Sequence, residues 1–348
     1  MGSTSTEGLL DLASLEAWLR AQGVAPEGPL TAAQIQGGRS NLTFFVADAR
    51  GRRWVLRRPP LGHVMATAHD VAREVKILRA LRGVVPVPAV VGLDTDASGV
   101  PFYVMEEVPG RVIRTASDVE DLPPGARAEC GRSLIRELVA LHAVVPESVG
   151  LGDFGRGTDY LPRQIALWQR MGDQYRAGPY AEADAARDRL LRAAPQQEHV
   201  ALVHGDYRLD NILVDRAGSL QAILDWELCT RGDPYVDLAV CLFYWTDPED
   251  VLHPFGNPAT VLPGFLTREE LLAEYVQAGG RALPRPDYYM GYAAWRLTLV
   301  FEGVLGRFRA GAYGASEPAE EERLAGVIKR LIETSHDLLD RDEARGAG

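Results

Sequence analysis

The sequence predicts an α+β chain in two lobes, a small antiparallel β-sheet lobe followed by a larger and mainly helical one. Three observations carry this prediction. The first hundred residues hold short runs rich in β-branched and aromatic residues, separated by turn residues and interrupted by one helical stretch. After Gly110 the apolar spacing becomes helical over long amphipathic segments. The chain has 348 residues, 46% of them apolar, which is enough to bury a large core.

Leu9, Leu12, Leu15, Trp18 and Leu19 recur at helical spacing, and Gly23 suits the exit. Thr43–Ala49 and Trp54–Arg57 read as two strands joined by a turn at Arg50–Gly51. Val71, Val75, Leu78 and Leu81 mark one face of a helix between Asp70 and Arg82. Ala89–Leu93 and Phe102–Glu107 are further strands, on either side of the turn-rich run Asp-Thr-Asp-Ala-Ser-Gly. Beyond them Ala126–His142 is a strong helix, with Leu134, Leu138 and Leu141 on one face. Short strands are expected at Ile212–Val214 and Ala222–Leu224, and amphipathic helical runs near 268–279, 287–309 and 319–340. The composition changes at Val108–Pro109–Gly110, which divides the chain into lobes at 1–107 and 108–348.

The formal charge is −11, from 37 basic and 48 acidic residues. That balance argues against electrostatic binding of nucleic acid, which needs clustered Lys and Arg. Lysine occurs only at Lys76 and Lys329, so a site that needs a cation must draw on arginine. Cys130, Cys229 and Cys241 are odd in number and far apart, and form neither a disulfide framework nor a paired metal motif. No stretch of 18 apolar residues occurs and the N-terminus lacks a targeting pattern, so a cytoplasmic protein that does not enter a membrane is expected. A homodimer is an open option.

The chemistry is concentrated in Leu202–Asp215, which reads LVHGDYRLDNILVD. Asp206 and Asn211 stand five residues apart around a tight loop, held by the apolar triplets Ala201–Val203 and Ile212–Val214. A carboxylate there is able to accept a hydroxyl proton, and the Asn211 carbonyl is a hard oxygen suited to Mg²⁺. Downstream, Asp225 ends the apolar run Ala222–Leu224, where an unpaired acid is costly and a metal is the obvious partner. A hairpin turning at Asp215–Gly218 would bring the Asn211 and Asp225 oxygens to one ion. Each tripeptide alone is an ordinary turn. Three of them in this order and spacing are a specific signal.

HGDxxxxN, then LDW, then GDPxxDLA resembles the aminoglycoside phosphotransferase family, which is similar in fold to protein kinases and choline kinases. The resemblance covers nearly the whole chain. It extends to the kinase-like domains fused to acyl-CoA dehydrogenases through GGRSNLTF, VLRRPP, AREVKIL, FYVMEEVPG and WRLTLVFEGVLGRFRAG. It implies a bilobal protein-kinase-like fold with ATP between the lobes, Asp206 as catalytic base, and Asn211 and Asp225 on Mg²⁺. His204 would hold the loop, and Asp237 would brace it from Gly232–Asp237.

No P-loop pattern occurs. Gly37–Gly38–Arg39–Ser40–Asn41 lies between candidate strands, and Gly38, Ser40 and Asn41 are the expected phosphate contacts. Val55–Leu56–Arg57 stands where the resemblance leads one to expect Val-Ala-Ile-Lys, so the lysine is replaced. Arg57 is the candidate phosphate ligand, paired with Glu74, and the adjacent Arg58 is its alternative. The resemblance makes Phe102–Val108 the hinge, with adenine hydrogen-bonded near Glu106 and Val108. His63 and His69 are expected to be solvated rather than metal ligands. The aromatic run Tyr288, Tyr289, Tyr292, Trp295 and Phe301 is expected to be core.

The expected reaction is transfer of the ATP γ-phosphoryl group to a hydroxyl of a small molecule. An aminoglycoside-like compound and a hydroxyacyl-CoA are both conceivable acceptors, the second calling for Arg296, Arg307 and Arg309. The contrasting expectation, motivated by the missing lysine, is a catalytically inactive nucleotide-binding protein.

Overall fold

In the computed structural model, the described residues are 10–35, 41–60, 71–95, 100–174, 181–250, 256–311 and 318–346. Gly38, Ser40, His63 and His69 lie outside them.

Asp11 opens the first helix, α1 (Leu12–Ala21), by accepting from the Ala13 and Ser14 N–H groups at 3.1 Å each. Five strands follow: β1 (Thr31–Gln34), β2 (Leu42–Ala47), β3 (Arg53–Arg58), β4 (Val90–Asp94) and β5 (Phe102–Glu106). They form one antiparallel sheet in the order β1-β2-β3-β5-β4. The first strand, with Ala32 and Ala33 at its centre, carries little β-forming signal and was not expected.

The period-2 alternation along β3 and β5 sorts the sheet's two faces. Phe44, Val46, Trp54, Leu56, Phe102 and Val104 pack against Leu15 and Leu19 of α1. Val55, Tyr103 and Met105 face the other way, onto Val71, Val75 and Leu78 of α2 (Val71–Leu81). Arg57 shares the α2 face with Val55, whereas the neighbouring Arg58 belongs to the Trp54 and Leu56 face and is buried.

The rest of the chain is mainly helical. Helices α3 (Pro124–His142), α4 (Tyr160–Gln174) and α5 (Ala181–Arg192) precede two small antiparallel ribbons. One ribbon pairs β7 (Ile212–Val214) with β8 (Leu220–Ile223), and the other pairs β6 (Ala201–Val203) with β9 (Thr230–Gly232). The third strand of this region begins two residues before the expected Ala222, because Leu220 pairs with Val214 across the turn. Gly218 makes that turn at φ 83°, and a Cβ there would sit 1.9 Å from the Ala126 carbonyl oxygen, so only glycine fits. Helices α6 (Pro234–Tyr244), α7 (Arg268–Gln277), α8 (Pro286–Arg309) and α9 (Pro318–Gly346) complete the fold.

Tyr288, Tyr289, Tyr292 and Trp295 of α8 are fully buried between α5, α6 and α9. The three cysteines are buried and free, and burial pushes the Cys130 thiol up to about 12. Among the described residues no helix is long and apolar enough to cross a membrane.

Candidate active site

The loop after β6 is built from buried backbone polar groups that need partners. Gly205 takes φ 86°, and a Cβ there would meet the Leu228 carbonyl at 2.8 Å. Its N–H donates to Asp237 Oδ1 at 2.7 Å, and the His204 N–H donates to Asp237 Oδ2. Asp237, fully buried on the first turn of α6, therefore ties down two successive amides of the loop. The His204 ring packs edge-on against Tyr207 and Trp226. Its Nδ1 accepts from the Asp206 N–H at 3.2 Å, so Nε2 carries the proton that bonds the Leu224 carbonyl at 2.8 Å.

These bonds leave the Asp206 carboxylate facing a set of donors. Oδ2 accepts from Arg208 Nε at 3.0 Å and from Asn211 Nδ2 at 2.9 Å. Oδ1 accepts from Arg296 Nη2, which reaches it from α8 at 3.2 Å. Both guanidiniums rest on aromatic rings, Arg208 at 4.6 Å from the Tyr244 ring centre and Arg296 at 4.3 Å from that of Trp168. Burial would raise the Asp206 carboxyl, but Arg208 and Arg296 outweigh it and hold it below the ordinary aspartate value. Asp206 is thus an ionised carboxylate with both oxygens engaged.

A second cluster surrounds Arg57. Its Nη2 lies 3.0 Å from Glu74 Oε1, 2.5 Å from Asp225 Oδ1 and 3.3 Å from Glu227 Oε2. Glu74 is buried on α2 and its Oε2 accepts from the Tyr103 hydroxyl at 2.7 Å. Burial pushes the Glu74 carboxyl up, with Arg57 and Tyr103 pulling the other way. Arg73, one residue before Glu74, donates from Nη1 to the Glu227 carbonyl at 3.0 Å and so binds α2 to the segment after β8. Asp225 takes the left-handed conformation at φ 62°, a strained setting for a residue with a Cβ. That twist turns its side chain out of the β8 line toward Arg57.

The two clusters are joined through backbone. The Leu224 N–H donates to the Asn211 carbonyl at 2.8 Å, continuing the ladder in which Ile212 faces Ile223. Asn211 uses Nδ2 on the Asp206 carbonyl and carboxylate, both at 2.9 Å, which leaves Oδ1 as its acceptor atom. The Asn211 amide oxygen and the Asp225 carboxylate are hard oxygen donors of the kind Mg²⁺ takes, and the carboxylates of Glu74, Asp225 and Glu227 lie within 4.8 Å of one another, so the residue types present fit that ion.

Other expected residues are placed as follows. Asn41 is buried just before the start of β2, whose first residue Leu42 pairs with Arg58. Glu106 ends β5, where its N–H donates to the Ala89 carbonyl at 2.9 Å, and Val108 follows half-buried. Arg296, one of the arginines a hydroxyacyl-CoA would call for, touches Asp206, and Arg309 pairs with Glu321 at 2.5 Å. Arg208, Glu227 and Tyr103 complete the site without having been singled out. The first two lie within two residues of Asp206 and Asp225, which was the available signal.

A phosphotransferase enzyme family model matches residues 31–295. The chain belongs to the phosphotransferase enzyme family. Among this family member's relatives, mouse acyl-CoA dehydrogenase family member 10 is 33% identical over 344 residues, covering 95% of the chain and 31% of that protein. The chain spans less than half the length of the curated relatives it matches first. A solved structure of a candidate aminoglycoside phosphotransferase from Ralstonia eutropha superposes with a TM-score of 0.78 at 28% identity, covering 95% of this chain and 98% of that one. A mutant of aminoglycoside phosphotransferase APH(4)-Ia, in ternary complex with AMP-PNP and hygromycin B, gives 0.56 at 17% identity over 92% of this chain and 98% of that one. The second likeness shows the fold alone, and the fold of this family member is the bilobal α+β, kinase-like one.

Proposed function

We propose that this phosphotransferase moves the γ-phosphoryl group of ATP to a hydroxyl of a small molecule, with Mg²⁺ bound by Asn211 and Asp225. The observation that carries the reading is the ionised Asp206 carboxylate, fixed by Asn211 and Arg208, in a loop whose Asn211 is tied by backbone to Leu224, the residue before Asp225. Phosphoryl transfer asks the protein for positioning and charge neutralisation rather than covalent chemistry, and this site offers both.

In the transfer, the acceptor oxygen bonds to the γ-phosphorus as the bond from phosphorus to the β,γ-bridging oxygen breaks. ADP leaves with that electron pair, and the hydroxyl proton passes to Asp206. Arg208 and Arg296 keep Asp206 unprotonated until that moment. Arg57, steadied by Glu74, is the cation for the triphosphate, in the role otherwise given to lysine. When bound, Mg²⁺ supplies neutralising charge to the phosphates. Residues 1–107 would then serve as the nucleotide lobe, with adenine at Glu106 and Val108 and with Gly38, Ser40 and Asn41 near the phosphates. Residues 108–348 would carry catalysis and the acceptor.

The test is transfer of labelled γ-phosphoryl from ATP to a panel of hydroxylated metabolites, with and without Mg²⁺. Mg²⁺-dependent labelling of a hydroxyl supports the proposal. Nucleotide binding without transfer to any acceptor would favour the inactive nucleotide-binding protein.

A further inference from the structure

His142, the last residue of α3, stands beside the fully buried carboxylate of Asp237. Asp237 accepts from the Gly205 N–H at Oδ1 and from the His204 N–H at Oδ2. Amides bring dipoles but no full charge, and a carboxylate away from water is costly to leave at that. Among the described residues, His142 is the one basic side chain within ion-pair distance of it, with Nε2 3.6 Å from Oδ2 and only 6% of the side chain exposed. The other ring nitrogen, Nδ1, lies 2.9 Å from the hydroxyl of Tyr275 on α7, and the two rings meet edge to face. Tyr275 is itself buried, so it fixes the plane of the imidazole. Nε2 is buried and has no hydrogen-bond partner. A lone pair there would repel Asp237, so Nε2 is the nitrogen that carries a proton toward the carboxylate.

Resting on the phosphotransferase reading above, we propose that His142 is a positioning residue for the transfer. Its Nε2–H, aimed by Tyr275, holds the Asp237 carboxylate in the orientation that fixes His204 and Gly205, and through them Asp206. The Asp206 amide rests on His204 Nδ1, so a shift of His204 reaches the base directly. The same imidazole lines a cavity of about 240 Å³ formed by the end of α3, the segment leading into β6, the start of α6 and the end of α7. Val139, Pro234, Tyr235 and Tyr275 share its wall, and Val200 and Arg281 on its lining are exposed, so the cavity opens to solvent. Asp206, Asn211 and Asp225 do not line it, so a small molecule that enters meets His142 and not the site.

The test uses the full chain with Mg-ATP and an accepted hydroxyl compound, beside the variants His142→Leu, His142→Gln and His142→Ala. His142→Leu keeps the bulk and removes the N–H. It lowers kcat by about 10- to 100-fold, the cost of a base misplaced by up to about 1 Å, while calorimetric ATP affinity is nearly kept. His142→Gln retains an N–H of similar reach and recovers most of that loss. Free imidazole, entering by the cavity, raises the kcat of His142→Ala to a plateau and leaves His142→Leu, whose side chain fills the space, unchanged. Amide exchange at His204 and Gly205, read without turnover, quickens in His142→Leu and not in His142→Gln. Full kcat in His142→Leu overturns the proposal. So do equal losses in the Leu and Gln variants that track their thermal stability, with no response of His142→Ala to imidazole, which would make His142 a packing residue. If the unmodified chain binds ATP and transfers to no acceptor, the phosphotransferase reading falls. Amide exchange then decides by itself whether His142 steadies the loop, and exchange unchanged in His142→Leu overturns that as well.

Discussion

Arg57 and Asp225 meet at 2.5 Å although 168 residues separate them in sequence. The contact joins β3 of the five-stranded sheet to the strained residue after β8, and Glu74 and Glu227 close around the same guanidinium. Three carboxylates around one arginine leave the cluster short of positive charge, which suits a site that receives a metal-bound nucleotide.

If Arg57 grips the triphosphate, Arg57→Ala weakens ATP far more than adenosine, which lacks phosphates. The expected loss is about 10- to 100-fold, from a charge-assisted hydrogen bond of roughly 1.5–3 kcal/mol. Arg57→Lys recovers part of it, because Lys keeps the charge without the fork. Arg58, buried on the opposite face, behaves differently, and Arg58→Ala lowers stability without selecting ATP over adenosine. Calorimetry with both ligands, beside thermal unfolding, reads all three variants. Equal weakening of ATP and adenosine by Arg57→Ala would remove the phosphate role.

Asp225→Ala should abolish the Mg²⁺ dependence of ATP binding, since it removes the one carboxylate of the proposed donor pair. Titrations of ATP with and without Mg²⁺ measure this. An unchanged Mg²⁺ dependence in the variant would put the ion elsewhere.

The pH dependence follows from the arginines on Asp206. Burial raises the Asp206 carboxyl, but Arg208 and Arg296 lower it by more, so its folded value lies below the ordinary one. A base with a lowered value stays ionised to lower pH, so the acid limb of kcat/KM lies below the usual aspartate range. Arg208→Met removes the largest lowering influence and should move that limb up in pH. A limb that stays in place would mean that another group sets it.

Gly218→Ala tests the turn that brings β8 back along β7. The new Cβ would meet the Ala126 carbonyl at 1.9 Å in a left-handed residue. The conformation alone costs roughly 1–2 kcal/mol, and the clash adds to it. Denaturant unfolding should show a loss larger than that range, and a neutral result would contradict the close approach.

The parts of the site that repeat a local pattern were legible in sequence. Asp206, Asn211 and Asp225 are flanked by apolar triplets whose period and length announce short strands, and the spacing itself implies a hairpin. The choice between Arg57 and Arg58 was not legible, because it depends on which face of β3 meets α2. Arg296 was visible as an arginine in an aromatic helix, but its contact with Asp206 spans 90 residues and depends on how α8 packs on α4. The first strand of the sheet was missed for a related reason. Thr31–Gln34 has little propensity of its own and becomes a strand because β2 offers it an edge to pair with.

The central claim is that Asp206 accepts the acceptor's proton during phosphoryl transfer, and Asp206→Asn tests it most directly. Turnover of ATP and acceptor is measured in the variant beside calorimetric ATP affinity. The account predicts a fall in kcat of about 10²–10⁴-fold, roughly 3–5 kcal/mol, with ATP affinity nearly kept. A variant that retained most of its turnover would contradict it.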